Sequence, residues 1–307
     1  MSWTTDDIPD LTGTTAVVTG PTAGGLGYYT ARELAAKGAR VVLAGRNPAK
    51  VDDAAARIGG EVPGAQLETL QVDLSDLGSV RSAAARASSY GSIDLLVNNA
   101  GVMATPYHRT ADGLELQMAT NHFGPFLLTG LLLPQLVAGG AGRVVNLASQ
   151  FHRAAPRAPL GEPRRQSGRY LRWPVYGQTK LANLLFVSEL ERRLRSADLP
   201  VKALAAHPGF AGTHLAANGQ YGRSSGGVAT ILDASMRMIS QSAEAGAWPT
   251  LMAATSDLPG DTYCGPGGLG QMAGAPKVVG RSRLARDAAA ARRLWGISEQ
   301  TTGIAYP

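Results

Sequence analysis

A strand, a glycine-rich turn and a helix follow one another near the N-terminus, and this succession constrains the fold more than any other feature of the chain. Ala16-Val-Val-Thr19 is a short apolar run, Thr19-Gly20-Pro-Thr-Ala-Gly24-Gly25-Leu26-Gly27 supplies the turn, and residues 30–37 are helix formers closed by Gly38. At such a turn, backbone N–H groups and the helix dipole can hold a pyrophosphate. Glycine matters there because a Cβ would obstruct both the tight turn and the close approach of a phosphate. The unit then repeats. Strands are predicted at residues 39–44, 67–72, 93–97 and 143–147, with helices at 49–58, 80–88 and near 121–137. Past Tyr176 a long helical pattern places Leu181, Leu184, Leu185, Val187 and Leu190 largely along one side, and residues 201–206 give another strand.

Strands alternating with helices imply the α/β class, here a Rossmann-type doubly wound parallel sheet with right-handed crossovers. No linker or composition break divides the 307 residues, so a single domain is expected. Its cofactor-binding half would span about 12–150 and its catalytic and substrate-loop half about 151–307. Segments 152–174 and 214–247 are rich in Gly, Pro, Arg or Ser and are expected to form loops or lids around a site.

The formal charge of +6 invites a search for an anionic partner, so its location matters. Arg153, Arg157, Arg164, Arg165, Arg169 and Arg172 accompany a single acid, Glu162, and the C-terminal stretch adds Arg281, Arg283, Arg286, Arg292 and Arg293. Neither stretch carries a nucleic-acid fold motif, so the first is read as a solvated basic loop and nucleic acid is not expected as a partner. Cys264 is the only cysteine, which excludes an intrachain disulfide and a cysteine-rich metal site and fits a reducing compartment. The five histidines show no metal-ligand pattern, and no metal is expected. The N-terminus lacks the basic and apolar regions of a signal peptide, and the apolar run at 126–138 is too short to span a bilayer and contains Pro134. A soluble, cytoplasmic protein is the expectation.

Tyr176-Gly-Gln-Thr-Lys180 carries the most informative chemical spacing, since i and i+4 on a helix put the phenol and the ammonium one turn apart on the same face. A tyrosine with a pKa of about 10 is a poor base at neutral pH, and a nearby ammonium stabilises the phenolate. Other motifs accompany this pair. Asn98-Asn99-Ala100-Gly101 follows the fourth strand, Asn121 sits in Thr-Asn-His-Phe-Gly, Ser149 ends Val-Val-Asn-Leu-Ala-Ser, and Pro208-Gly209 is followed by Thr213. In this order the set resembles the short-chain dehydrogenase/reductase family, over about residues 12–213. Lys180-Leu-Ala-Asn-Leu-Leu-Phe and Leu294-Trp-Gly-Ile-Ser-Glu299 resemble its retinol dehydrogenase-related branch and extend the likeness nearly to the C-terminus. The glycine turn resembles the family's Thr-Gly, three residues, Gly, any residue, Gly, with one residue more.

The resemblance implies a role for each matched residue. Tyr176 would exchange a proton with the substrate oxygen while hydride moves to or from nicotinamide C4, and Ser149 would hydrogen-bond the same oxygen. Lys180 would also bind the nicotinamide ribose, and Asn121 would hold a water that connects Lys180 to solvent. Gly20, Thr22, Gly25, Leu26 and Gly27 would line the pyrophosphate, Asp73 and Leu74 the adenine, and Asn99, Ala100 and Gly101 the adenosine and ribose. Pro208, Gly209 and Thr213 would lie toward the nicotinamide.

At the end of the second strand, Ala44-Gly45-Arg46-Asn47 lacks the carboxylate that would hold a ribose 2′-hydroxyl, whereas Arg46 can pair with a 2′-phosphate, so NADP(H) is expected over NAD(H). The expected substrate is a lipophilic ketone, aldehyde or alcohol, handled by a monomer or homodimer. Met103, Phe151 and Trp173 are candidates for an apolar cleft wall or for core packing, the histidines are expected in ordinary polar or packing roles with His152 and His207 as candidates for the cleft border, and Cys264 is expected to be inert. An elimination or epimerisation on the same site with retained cofactor is an open alternative, and so is a non-catalytic NADP(H)-binding sensor or scaffold.

Overall fold

All five residues of the first strand, β1 (Thr15–Thr19), are buried, as befits a central strand of a parallel sheet covered on both faces. The structure, a computed structural model, describes residues 2–165, 168–210 and 241–307. Seven further strands join β1: β2 (Arg40–Gly45), β3 (Leu67–Gln71), β4 (Leu95–Asn98), β5 (Gly142–Leu147), β6 (Val201–Ala206), β7 (Tyr263–Pro266) and β8 (Pro276–Val278). Their order in the sheet is β3-β2-β1-β4-β5-β6-β7-β8, parallel throughout except for the antiparallel β7–β8 pair at the edge. The order reverses direction between β1 and β4, and the C-terminal ends of those strands therefore open a crevice in which a ligand can bind. This is the doubly wound fold expected from the sequence.

Alternation along the strands sorts the core into two layers. Ala16 and Val18 of β1 pack with Val41 and Leu43 of β2 on the face covered by α1 (Leu26–Ala36) and α2 (Pro48–Glu61). Val17, Val42 and Ala44 pack on the other face, beneath α3 (Leu77–Ala87) and the helices that follow it. There, α4 (Leu116–Met118) runs through a π-helical turn (Ala119–Phe123) into α5 (Gly124–Ala138). A π turn inserts one residue into the helical ladder, and it lies over Asn121. The long α6 (Arg172–Ser196) begins one turn before Tyr176 and packs against the C-terminal α8 (Ala288–Thr302).

Local chemistry accounts for the differences from expectation. Helix α1 begins at Leu26 rather than residue 30, because Gly27 lies inside its first turn. The extra turn residue is taken up by a hydrogen-bonded turn in which Gly25 N donates to Thr22 O at 2.9 Å, with Gly24 at φ 73° in the third position, where a left-handed conformation favours glycine. Of the segment predicted as a loop at 214–247, residues 214–240 lie outside the described residues, and the end is helical. There Ser242 caps α7 (Ala243–Thr255) by accepting from Ala245 N at 3.1 Å, and alanines carry the helix through Gly246 and Pro249 against α1. The basic loop is not uniformly solvated either. Arg164 donates to the Asp112 and Thr301 carbonyls at 3.1 and 3.0 Å, and Arg153 to that of Gly280 at 2.8 Å, because a guanidinium can satisfy several exposed carbonyls at once. Among the described residues no helix is long and apolar enough to cross a membrane, and no group of metal-ligating side chains could hold an ion.

Candidate active site

Ser149 follows β5 by two residues, with extended backbone (φ −164°), and Tyr176 reaches it from the first turns of α6. The Tyr176 phenol lies beside the Ser149 side chain, whose hydroxyl accepts from Phe151 N at 3.2 Å. Tyr176 is 7% exposed, and burial pushes its phenol up to about 12, against the opposite pull of the neighbouring Ser149 side chain. Lys180 lies one turn along the helix, its Nζ 5.7 Å from the Tyr176 ring centroid and 3.1 Å from the Leu147 carbonyl oxygen, to which it donates. Burial pushes this amine down to about 8. In this geometry the ammonium bonds Leu147 O, and burial keeps the phenol protonated at neutral pH.

Asn121 joins the group from the π turn. Its Oδ1 accepts from Val102 N at 2.8 Å, and its Nδ2 donates to Val102 O at 2.8 Å and Thr179 Oγ1 at 3.0 Å. The amide thus braces the loop after β4 against α6. Gly101 sits between Asn121 and Lys180, where a Cβ would come 3.0 Å from Asn121 Oδ1 and 3.6 Å from Lys180 Nζ.

Sequence reasoning passed over Asn183, which donates to the same Leu147 oxygen at 2.9 Å; its spacing of three from Lys180 on one helix face was the available signal. His152 and His207, candidates for either a packing role or the border of a cleft, are both fully buried. His152 Nδ1 lies 2.7 Å from Ser149 O, and its Nε2 accepts from Ser282 N at 3.1 Å, so the ring holds the Ser149 backbone in place. His207 Nδ1 accepts from Gly209 N at 3.1 Å and its Nε2 lies 3.1 Å from Gln271 Oε1, which fixes the Pro208-Gly209 turn. Burial lowers both imidazoles to about 4, so they are neutral at physiological pH. Phe151 and Trp173 stack at 5.1 Å, and each meets the Tyr176 ring edge-on.

The turn between β1 and α1 lies against the loop after β4. Asn99 Nδ2 donates to Thr19 O at 2.7 Å and Gly20 O at 3.2 Å, and Ala100 N donates to Thr19 Oγ1 at 3.0 Å. A Cβ on Gly27 would fall 2.4 Å from Asn99 Nδ2, and one on Gly20 2.9 Å from Ala100 Cα. No side chain caps α1, whose N-cap is Gly25, so the N–H groups of its first turn are left for an anion; the residues present fit a dinucleotide pyrophosphate. Arg46 stands just past β2 with its side chain 73% exposed and its Nε 3.9 Å from Asp73 Oδ2. Asp73 also accepts from Ser75 N at 2.9 Å, whereas the Leu74 side chain is buried in the core. Gly209 adopts φ 65°, and Pro208 O accepts from Gln241 Nε2 at 2.7 Å. Thr213 lies outside the described residues.

Comparison with known proteins agrees with this architecture. The family model described as short chain dehydrogenase matches residues 14–159. The chain is 37% identical over 303 residues to human retinol dehydrogenase 13, covering 97% of this chain and 87% of that protein. It is 40% identical to mouse retinol dehydrogenase 12 over 213 residues, covering 68% of this chain and 65% of that one. Among solved structures, an uncharacterized protein from Mycobacterium Paratuberculosis is 43% identical and superposes with a TM-score of 0.81 over 100% of both chains. A protein described as a NAD(P) dependent gluconate 5-dehydrogenase from Beutenbergia cavernae, with bound NADP at low occupancy, is 26% identical with a TM-score of 0.58 over 80% of this chain and 91% of that one. The chain therefore belongs to the short-chain dehydrogenase/reductase family, in its retinol dehydrogenase-related branch, and is a NAD(P)-dependent oxidoreductase.

Proposed function

We propose that the protein transfers hydride between NADP(H) and a lipophilic ketone, aldehyde or alcohol at a site made by Asn121, Ser149, Tyr176 and Lys180. The observation that carries this reading is that Ser149 and Lys180 flank the Tyr176 side chain, Ser149 beside the phenol and Lys180 one helical turn away with its Nζ 5.7 Å from the ring centroid. The nicotinamide of the bound cofactor supplies or accepts the hydride. In reduction, the neutral Tyr176 phenol donates its proton to the substrate oxygen while Ser149 stabilises the negative charge developing there. Lys180 places its ammonium beneath the phenol ring, where it favours the phenolate left behind, and Asn121 fixes the backbone on which Lys180 and Gly101 meet. Phe151 and Trp173 offer an apolar surface beside Tyr176, which favours lipophilic substrates.

The dinucleotide would lie over Gly20, Thr22, Gly25, Leu26 and Gly27, with Asp73, Leu74, Asn99, Ala100 and Gly101 along the adenosine side and Pro208, Gly209 and Thr213 toward the nicotinamide. Arg46 favours NADP(H), because its exposed guanidinium has only a long contact to Asp73 and can turn to a 2′-phosphate. On this reading the chain works as a single cytoplasmic domain, as a monomer or homodimer.

Fluorescence titration with NADPH and NADH, on the wild type and on Arg46→Ala, tests the cofactor assignment: NADPH binding should weaken about tenfold or more in the variant, with NADH binding little changed. Turnover followed at the reduced-nicotinamide absorbance tests the chemistry, and Tyr176→Phe should abolish it. A wild type that binds cofactor and converts substrate without net cofactor oxidation would favour the non-redox alternative, and one that binds cofactor with no turnover would favour a sensor.

A further inference from the structure

Trp173 belongs to two surfaces at once. Its ring stacks on Phe151 at 22° and meets the Tyr176 ring at 6.2 Å, so it forms part of the wall beside the candidate proton donor. It also lines an open groove of about 370 Å³, within the size range of ligand pockets, together with Pro106, Tyr170, Leu171 and Pro174. Leu171 is 50% exposed there.

Two cations complete the groove, Arg169 and Arg172. Among the described residues neither guanidinium has an ion pair or hydrogen-bond partner. Arg153 and Arg164 of the same basic stretch, by contrast, are tied to backbone carbonyls. Glu115, which is bonded to Tyr170 of the groove, forms no ion pair with either of them. Its carboxylate accepts from the Tyr170 hydroxyl and from the backbone N–H groups of Gln117 and Met118, and burial raises its pKa. Trp173 is thus shared between the aromatic wall beside Tyr176 and a groove that combines apolar side chains with two arginines.

We propose that this groove receives the distal end of the substrate and selects compounds that end in a carboxylate, so that the preferred substrates are lipophilic carbonyl compounds with an anionic tail. The inference rests on the oxidoreductase reading given above. It adds that Arg169 and Arg172 determine specificity without taking part in the chemistry.

The test compares two flat aryl ketones of the same shape, 6-acetyl-2-naphthoic acid and its carboxamide, by kcat/KM with NADPH at low ionic strength. The acid should be preferred about five- to tenfold, the scale of two partly exposed charge pairs, and the preference should shrink in high salt. Arg169→Gln/Arg172→Gln should bring the two ketones to parity by raising KM for the acid alone, and Arg169→Lys/Arg172→Lys should retain the preference. Equal kcat/KM in the wild type, or an equal loss on both ketones in the Gln variant, overturns the groove proposal while leaving the oxidoreductase reading intact. Calorimetric titration of both ketones onto the NADPH-loaded protein separates the two readings from the other side. Tighter binding of the acid without turnover supports the groove and overturns the reductase reading, and failure of both to bind overturns the groove.

Discussion

Lys180 and Asn183, three residues apart on α6, converge on one acceptor: both donate to the Leu147 carbonyl oxygen, at 3.1 and 2.9 Å. Removing the lysine therefore leaves that buried carbonyl bonded. Burial lowers Lys180 from 10.5 to about 8, so below pH 8 the fold carries a charged amine where charge is disfavoured. Between about 8 and 10.5 the unfolded chain still holds the proton that the folded chain has released, and stability from this group rises with pH across that window. Lys180→Met should abolish turnover yet stabilise the protein at pH 7 by about 1–2 kcal/mol, after allowance for the lost hydrogen bond. Urea unfolding at pH 7 and at pH 10.5 checks this, since the advantage should fade at the higher pH.

The same groups set the pH profile of reduction. The Tyr176 phenol stays protonated to about 12, so it remains a proton donor throughout the accessible range, whereas Lys180 loses its charge through about 8. The kcat/KM for reduction should be level through neutrality and fall as pH rises past about 8. His152 and His207, held neutral down to about 4, should contribute no limb between pH 5 and 7. Lys180→Arg, if active, should move the alkaline limb upward; a profile that keeps its break near 8 in that variant would assign it to another group.

The central strands were legible because they are buried on both faces and read as apolar runs: residues 201–206 coincide with β6, and the other predicted strands lie within two residues of their observed bounds at either end, whereas the short β7 and β8 at the far edge were not read. Helix starts were less legible, since they depend on capping and turn geometry. Gly27 reads as part of a turn yet lies within α1, and Leu171 gives no capping signal for a helix that begins one turn before Tyr176. Chemistry carried by i and i+4 spacing was visible in Tyr176 and Lys180. Support that depends on tertiary contact was not. Nothing near His152 announces that Ser282, 130 residues away, anchors its ring, and nothing near Asn121 announces its bonds to Val102 and Thr179.

Gly27 has neighbours on two sides with no room for a methyl group. A Cβ there would lie 2.4 Å from Asn99 Nδ2 and 2.5 Å from Gly20 O, and both atoms belong to the contact that joins the glycine turn to the loop after β4. Gly27→Ala should destabilise the protein by about 1–3 kcal/mol and weaken dinucleotide binding at least tenfold, measured by thermal unfolding and by fluorescence titration. Gly60→Ala, on α2 with open space around it, should leave binding unchanged.

Cys264 lies in β7 with no exposure, and burial pushes its thiol up to about 12. A thiolate is the reactive form, so the native protein should resist thiol reagents at pH 8 over the time in which a free cysteine reacts fully. Denaturation should release one reactive thiol per chain, since the sequence holds one cysteine.

Trp295 is the side chain through which the C-terminal helix is seated. It is 1% exposed, stacks on Phe186 at 5.8 Å, and meets Phe126 and Tyr306 at 5.0 and 4.7 Å. The neighbouring turn of α8 carries Ser298, whose hydroxyl pairs at 2.8 Å with Nε2 of His122, the residue beside Asn121 in the π turn. Loss of the indole therefore removes core volume and loosens the helix that supports the candidate site from behind. Trp295→Ala should lower stability by about 3–5 kcal/mol, the range for deletion of a large aromatic from a core. Trp295→Phe keeps a ring between Phe126 and Phe186, and the indole N–H that it removes has no hydrogen-bond partner among the described residues, so its cost should stay below about 1.5 kcal/mol. Chemical unfolding of the two variants decides the matter: similar losses in both would mean that the indole edge, with the Arg193 guanidinium 4.5 Å from the ring, contributes more than the volume it fills.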